Sequence, residues 1–158
     1  MKTKGFAFHD HSACKTEGVS QAVDFCAQNG LQLTPQRRRV LEILLEKHSA
    51  MGAYEVLDIL REEGLGSQPP IAYRALDFLV SNGFAHKIER LNAFVACAHP
   101  GANHAPAFLI CRVCDSVAEA HLEPDDSTLN TAAQKAGFTV ERAVVEAIGI
   151  CPNCEASA

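Results

Sequence analysis

Two pairs of cysteines form the most specific chemical pattern in the sequence. Cys111 and Cys114 make one C-x2-C pair, Cys151 and Cys154 make the other, and 36 residues separate the pairs. A tight turn within each pair brings its two sulfur atoms to one point, so four thiolates complete a closed tetrahedral zinc site. One C-x2-C pair is also typical of a redox dithiol or of buried cysteines, but two pairs in so short a region favour structural zinc.

A second group of side chains offers nitrogen, sulfur and oxygen donors. Its members are His86, Cys97, His104 and Glu119. Such a mixed set suits zinc and is poorly matched to magnesium or calcium. Each residue also has an ordinary explanation, because strand histidines are commonly surface or core residues and cysteine is often a small buried hydrophobe. Spacing alone leaves this second metal site open.

The elements that would carry these residues begin with four predicted helices and a hairpin. Hydrophobic periodicity, the Thr34-Pro35 start signal and glycine stops indicate helices at residues 17–29, 34–47, 53–63 and 69–82. Strands at 84–89 and 93–97, joined by a turn at 90–92, follow. This order indicates a winged helix-turn-helix, with His86 on the wing and Cys97 at its end.

The fourth helix has a polar face that could read DNA. Tyr73, Arg74, Asp77 and Ser81 fall within one sector about 100° wide. Arginine can bind guanine O6 and N7 with two hydrogen bonds, and tyrosine can pack on thymine methyl groups or reach a phosphate. The alternative is an ordinary polar face of an amphipathic surface helix.

The second half of the chain reads as a small α/β unit. Strands are predicted at 107–111 and 116–120, a helix at 127–136, and a third strand at 139–148, where Ala and Glu leave helix as an alternative. The boundary with the first half falls near residues 98–106. The fold class expected for the whole chain is α+β.

Charge and composition restrict the function. The net charge of −5 argues against a nucleic-acid binder, but the basic residues are concentrated in the first half, with Arg37-Arg38-Arg39 as their densest point. No apolar run is long enough to cross a bilayer, and the N-terminus has no signal-peptide pattern. Seven cysteines, an odd number, favour free thiols and metal ligands, so a cytoplasmic protein is expected.

Three stretches together resemble the ferric uptake regulator family. They are LTPQRRRVLEILL, AYRALDFLVSNGFAHKIE, and the cysteine pairs in LICRVC and CPNC. The resemblance extends over about residues 17–154 and is strongest to the zinc-sensing branch, the zinc uptake regulators. Members are metal-dependent DNA-binding repressors, with an N-terminal winged-helix domain and a C-terminal dimerisation domain.

The resemblance implies a domain plan and a role for each residue group. Residues 1–16 would be a flexible tail, 17–97 the DNA-binding domain, 98–106 the linker and 107–158 the dimerisation and metal-binding domain. Each chain would hold two zinc ions. One is structural, at Cys111, Cys114, Cys151 and Cys154, and one is sensory, at His86, Cys97, His104 and Glu119. Tyr73 and Arg74 match the DNA-reading pair. The expected partners are a pseudo-palindromic operator and a second copy of the chain, with no membrane and no small-molecule substrate.

Several alternatives stay open at this level. A histidine run that is usual before the first cysteine pair in iron-sensing members is replaced here by NHAPAFLIC, so a third metal site is in doubt. His99, His121 and the tail residues His9, His11 and Cys14 are its candidates. Iron or peroxide sensing is the nearer rival, although a thiolate at Cys97 favours zinc. A zinc hydrolase is the alternative from another class, with Glu119 as general base, but the deaminase signature is absent.

Two smaller points also depend on the fold. Cys26 is expected in the core. Asp58 and Arg61, spaced i, i+3, could pair within their helix or between two dimers, and the pair within the helix is the default.

Overall fold

The computed structural model describes residues 6, 11–47, 49–98, 100, 105–122, 128–141 and 143–157. Of residues 11, 105, 106, 121 and 122 it describes the backbone alone. The chain divides into two compact units, which we call the first unit (residues 7–101) and the second unit (residues 102–158 with residues 1–6). The first is mainly helical and the second contains a three-stranded sheet, so the predicted α+β class is confirmed.

The first unit has the predicted order of four helices and a hairpin. Its elements are α1 (His11–Gln28), α2 (Pro35–Leu45), α3 (Ala53–Glu62), α4 (Pro69–Ser81), β1 (Ala85–Ile88) and β2 (Ala93–Ala96). The strands are antiparallel, and His86 lies opposite Val95. A 3-10 turn at Glu89–Leu91 connects them and ends at Asn92, whose φ of 45° is left-handed.

The first helix begins earlier than predicted. Residues 11–16, predicted as part of a flexible tail, form the first turns of α1, so that prediction is wrong for them. Contact with α2 explains the difference, because Lys15 forms a 3.0 Å salt bridge with Glu46 at the end of α2. Gly18 also lies so close to Leu45 that a Cβ atom added to Gly18 would be 2.7 Å from Cδ1 of Leu45. Tertiary packing therefore extends a helix for which local sequence signals are weak.

Helix N-caps and a continuous hydrophobic core stabilise the first unit. Thr34 caps α2, its hydroxyl accepting from the Arg37 amide at 3.3 Å, and Glu55 accepts from the Gly52 amide at 2.8 Å at the start of α3. The largest fully buried side chains of this unit are Val40, Leu41, Ile43, Leu44, Val56, Leu57, Leu60, Leu76, Leu79 and Ile88. The buried faces of α2, α3 and α4 supply all but one of them, so α4 is fixed in place by its apolar face.

The arginine run at the start of α2 serves the fold itself. Arg37 donates to the Gln32 carbonyl at 2.6 Å, and its guanidinium carbon lies 3.9 Å from the centre of the Phe78 ring on α4. Arg38 pairs with Glu42 at 3.2 Å. Arg39 donates two 2.8 Å hydrogen bonds to Glu63, and these bonds hold the pKa of the Glu63 carboxyl below its usual value. The salt bridges of Arg38 and Arg39 offset part of the positive charge of this run.

The second unit is built round one strand with two neighbours. Its elements are β3 (Ala105–Cys111), β4 (Val117–Leu122), α5 (Thr128–Lys135), β5 (Val145–Gly149) and α6 (Pro152–Ala156). The strand order is β4-β3-β5, with β4 antiparallel and β5 parallel to β3. The strand predicted at 139–148 is shorter, because pairing with β3 starts only at Val145, opposite Ala107. None of the described helices in either unit is long and apolar enough to cross a membrane.

The burial of α4 leads to a stability prediction. Leu79 is completely buried on α4, whereas Leu31, between α1 and α2, is 37 % exposed. Leu79→Ala should lower the free energy of unfolding of the first unit by about 2–5 kcal/mol, because it leaves a cavity. Leu31→Ala should change it by no more than about 0.5 kcal/mol. Urea unfolding, monitored by circular dichroism, measures the free energy of unfolding of both variants. Equal effects of the two substitutions would contradict the packing described.

Candidate metal centres and nucleic-acid interface

The four paired cysteines converge in the second unit because of how β3 and β5 pair. Cys111 ends β3 opposite Gly149 of β5, and the Arg112 amide donates to the Gly149 carbonyl at 2.9 Å. Two residues further on, Cys151 is the N-cap of α6, whose first turn contains Cys154. Cys114 lies in the tight turn after β3, which Asp115 completes with a φ of 58°. The four Sγ atoms all lie within 4.8 Å of one another.

The electrostatics of this cluster suit a bound cation. Backbone amides, foremost that of Cys151 at 3.3 Å, lower the pKa of Cys111 to about 6. A hydrogen bond of 3.2 Å with the Ser116 hydroxyl lowers the pKa of Cys114. The neighbouring thiols, Cys151 first, raise the pKa of Cys154 to about 12. The protein thus prepares some thiolates but cannot ionise all four side by side, and a divalent cation removes that repulsion. Four sulfur donors in one cluster fit zinc.

His86 and Cys97 lie together on one face of the hairpin. The Cys97 amide donates to the Phe84 carbonyl at 2.9 Å, which extends the β1–β2 ladder by one residue beyond β2. Because His86 is opposite Val95, and Val95 and Cys97 are two residues apart, the side chains of His86 and Cys97 point to the same side. A ring nitrogen of His86 and Sγ of Cys97 lie within 4.8 Å of each other. Cys97 is 4 % exposed, and Nε2 of His86 is buried.

Of the other two predicted ligands of the second metal site, the structure describes Glu119 but not His104. Glu119 lies half-buried on β4 of the second unit, opposite Phe108. His104 is outside the described residues, as are His9 and His99. The side chains of His11 and His121 are also not described. Nothing in the described residues therefore tests the third metal site.

Two further cysteines have ordinary positions in the first unit. Cys14 is half-buried on α1. Cys26 is 3 % exposed, and burial raises the pKa of its thiol, so it is a core residue as predicted.

The fourth helix separates an apolar face from an exposed polar one. Ala72, Ala75, Leu76 and Leu79 are buried. Tyr73 is 39 % exposed, and the remaining residues of the polar face are exposed as well, namely Arg74, Asp77 and Ser81. This is the arrangement that a helix needs in order to enter a major groove, with its apolar side held by the fold.

The turn before α4 has its own anchor. Arg61 on α3 pairs with Asp58 at 3.2 Å and donates to the Ser67 carbonyl, also at 3.2 Å, just before α4 begins. The structure therefore shows the pair within the helix, which was the default interpretation.

Sequence reasoning missed two contacts that support these sites. Ser116 interacts with Cys114, and its place two residues beyond the cysteine pair was the available signal. The stacking of Arg37 on Phe78 links α2 to α4, and no local pattern predicts it, because 40 residues lie between the two in the sequence.

Comparison with known proteins agrees with these features. The sequence profile of the ferric uptake regulator family matches residues 28–148. The chain is 41 % identical to the zinc uptake regulation protein of Escherichia coli (strain K12) over 139 residues, which is 87 % of this chain and 81 % of that protein. The structure of a zinc uptake regulator complexed with zinc and DNA matches with a TM-score of 0.84 and 40 % identity, covering 90 % of this chain and 96 % of the other.

A second solved structure, holo XcZur, matches with a TM-score of 0.79 and 42 % identity, covering 89 % of this chain and 98 % of the other. The peroxide operon regulator of Bacillus subtilis (strain 168) is 23 % identical over 86 % of this chain and 92 % of its own. The chain belongs to the ferric uptake regulator family, as its motifs predicted. Because that family consists of regulators, the zinc-enzyme alternative is excluded.

The cysteine cluster generates a prediction about folding. Cys111→Ser should lower the zinc content and give monomeric or aggregated protein, because a small domain that gains roughly 10 kcal/mol from its metal does not fold without it. Val113→Ser, which changes an exposed side chain between Cys111 and Cys114 and removes no thiol, is the matched control and should leave zinc content and oligomeric state unchanged. Elemental analysis and analytical ultracentrifugation measure both. A stable Cys111→Ser dimer with unchanged thermal unfolding would contradict a structural role for the cluster.

Proposed function

We propose that this protein is a zinc-responsive DNA-binding repressor that controls genes for zinc uptake and homeostasis. The observation that carries the proposal is the exposed Tyr73–Arg74 face of α4, in a chain 41 % identical to a zinc uptake regulation protein. Tyr73 and Arg74 read base edges in the major groove. The guanidinium group of Arg74 binds guanine, and the ring of Tyr73 packs on thymine methyl groups or reaches a phosphate.

The protein acts as a homodimer, in keeping with its family, on a pseudo-palindromic operator. The second unit is small, and few of its described side chains are buried. Four of its apolar side chains are 38–45 % exposed to solvent, namely Val144, Val145, Ile148 and Ile150. Small units of this kind need metal or association to be stable. Two copies of α4, one from each chain, would then contact two half-sites of one duplex. Action on DNA places the protein in the bacterial cytoplasm.

Two zinc ions per chain have different tasks in this proposal. Cys111, Cys114, Cys151 and Cys154 hold the structural ion, supported by their convergence within 4.8 Å. His86 and Cys97 are two ligands of a regulatory ion, supported by their shared face on the hairpin. His104 and Glu119 complete that set, as the family resemblance implies.

Regulation follows from where the regulatory ligands lie in the chain. His86 and Cys97 belong to the hairpin of the DNA-reading unit, and Glu119 belongs to the second unit. Shared ligation by these residues would hold the two DNA-reading units of a dimer at one spacing. A change from 1:99 to 99:1 in favour of that arrangement needs about 5.5 kcal/mol of differential binding. A zinc site with a total binding energy of order 10 kcal/mol can supply it.

Salt should weaken binding only moderately. Among the described residues of the first unit, five basic side chains already form salt bridges with acidic residues, namely Lys15, Arg38, Arg39, Arg61 and Lys87. Few phosphates are therefore neutralised, so specificity depends on base contacts and on the geometry that the metal sets.

The first test removes the proposed guanine contact. Arg74→Ala should lose about 1–3 kcal/mol per half-site and bind its operator no more tightly than unrelated DNA, while zinc content stays unchanged. Arg38→Ala on α2 is the charge-matched control and should weaken binding slightly and equally for all sequences. Fluorescence anisotropy with specific and scrambled duplexes measures both. Sequence-specific binding by Arg74→Ala at wild-type strength would exclude α4 as the reading helix.

The second test separates the regulatory ion from the structural one. Cys97→Ser keeps the size of the side chain and removes the softest ligand, so zinc-dependent operator binding should be lost and target genes derepressed in zinc-replete cells. None of the four clustered cysteines changes, so the variant should remain a folded dimer with one zinc per chain. His86→Ala should behave in the same way.

Two outcomes would contradict the regulatory site. One is normal zinc-responsive binding by Cys97→Ser, and the other is loss of dimerisation in that variant. Titration of DNA binding against free Zn(II), Fe(II) and Mn(II) identifies the sensed metal, and a response to iron at lower concentration than zinc would favour the iron-sensing alternative.

A further inference from the structure

Asp77 is an acidic residue on the face of α4 that also carries Tyr73 and Arg74. It lies four residues after Tyr73 and three after Arg74, and it is exposed. At about 100° per residue, Asp77 points about 40° away from Tyr73 and about 60° away from Arg74, so its direction falls between theirs. Its Cα is only about 5 Å further along the helix axis than that of Arg74. A groove that receives Tyr73 and Arg74 therefore also faces the Asp77 carboxylate.

No described cation neutralises the carboxylate of Asp77. Within the part of the chain that the structure describes, Asp77 forms no salt bridge, and Arg74 forms none either. The same i, i+3 spacing does give a 3.2 Å salt bridge between Asp58 and Arg61 on α3, where the acid precedes the base. The order is reversed on α4, which is the less favourable orientation for a helical ion pair. Both charges are consequently presented to whatever α4 contacts.

A carboxylate that faces DNA is unfavourable unless the DNA supplies a hydrogen-bond donor. Phosphates repel it, and the acceptor atoms on the base edges of the major groove cannot form a hydrogen bond with it. The exocyclic N4 amino group of cytosine is the donor that aspartate and glutamate accept from in the major groove. Arginine reads the O6 and N7 atoms of guanine, the partner of cytosine. Arg74 and Asp77 together therefore match the donor and acceptor pattern of G·C pairs.

We propose that Asp77 determines operator specificity by accepting a hydrogen bond from the N4 amino group of a cytosine in each half-site, beside the guanine that Arg74 contacts. The proposal rests on the proposed function, because it requires α4 to be the reading helix. Asp77 also disfavours other sequences. A base edge that has only acceptors at that position would repel the Asp77 carboxylate and leave it desolvated.

The test is selection of binding sites from a random duplex library with the full-length, zinc-loaded protein. Wild type should select a two-fold symmetric motif with a preferred cytosine in each half-site. Asp77→Ala and Asp77→Asn should both lose that cytosine preference, with discrimination at the position falling about 5- to 30-fold and the rest of the motif retained. Because Asp77 is exposed, zinc content and thermal unfolding should not change.

Glu62→Ala is the matched control, because Glu62 is an exposed acid at the end of α3 and its removal deletes the same charge. It should leave every base preference unchanged. Undiminished cytosine preference in both Asp77 variants would overturn the proposal, even if their affinity for all sequences rises, because Asp77 would then only repel phosphates. If wild type selects no motif while Arg74→Ala binds DNA as wild type does, the DNA-reading function of α4 itself fails, and the role of Asp77 with it.

Discussion

Mutual repulsion among four thiolates is the constraint on which the second unit depends. Their sulfur atoms lie within 4.8 Å of one another. Backbone amides lower the pKa of Cys111, whereas the neighbouring thiols raise the pKa of Cys154, so the four groups do not all ionise unaided. A cation bound there would convert this repulsion into attraction and would join the end of β3 to the start of α6. The described sheet between those points has three strands, so the proposed structural zinc would replace much of the core that a unit of this size lacks.

The first unit is stabilised differently, by a helical core and by arginines used within the fold. Arg37 stacks on Phe78 of α4, and Arg39 connects the start of α2 to the end of α3 through Glu63. These contacts join α2 to α4 and to α3, and the Arg39–Glu63 ion pair offsets one positive charge on the surface. Among the described residues Arg74 and Asp77 form no salt bridge, so under the proposed function the charges on the exposed face of α4 matter more for specificity than the total charge of −5.

The relation to known regulators and the geometry of the sites support one another. A 41 % identical relative is a zinc uptake regulation protein, whereas the peroxide regulator is 23 % identical. The chemistry of the chain points the same way, because a thiolate at Cys97 beside His86 prefers zinc to harder metals. Family membership alone would leave the sensed metal open among zinc, iron and manganese, and the donor atoms favour zinc.

The sequence by itself determined the order of helices and strands, the two cysteine pairs and the exposed face of α4, because each depends on local periodicity or spacing. It did not determine the start of α1, since the Lys15–Glu46 salt bridge and the packing of Gly18 on Leu45 join residues distant in the chain. It also left open the position of β5, because pairing with β3 decides where that strand begins. The contacts that Arg37, Arg38 and Arg39 make within the first unit were open as well. Tertiary structure decided these points because contacts between distant residues, unlike a helical period, leave no local pattern in the sequence.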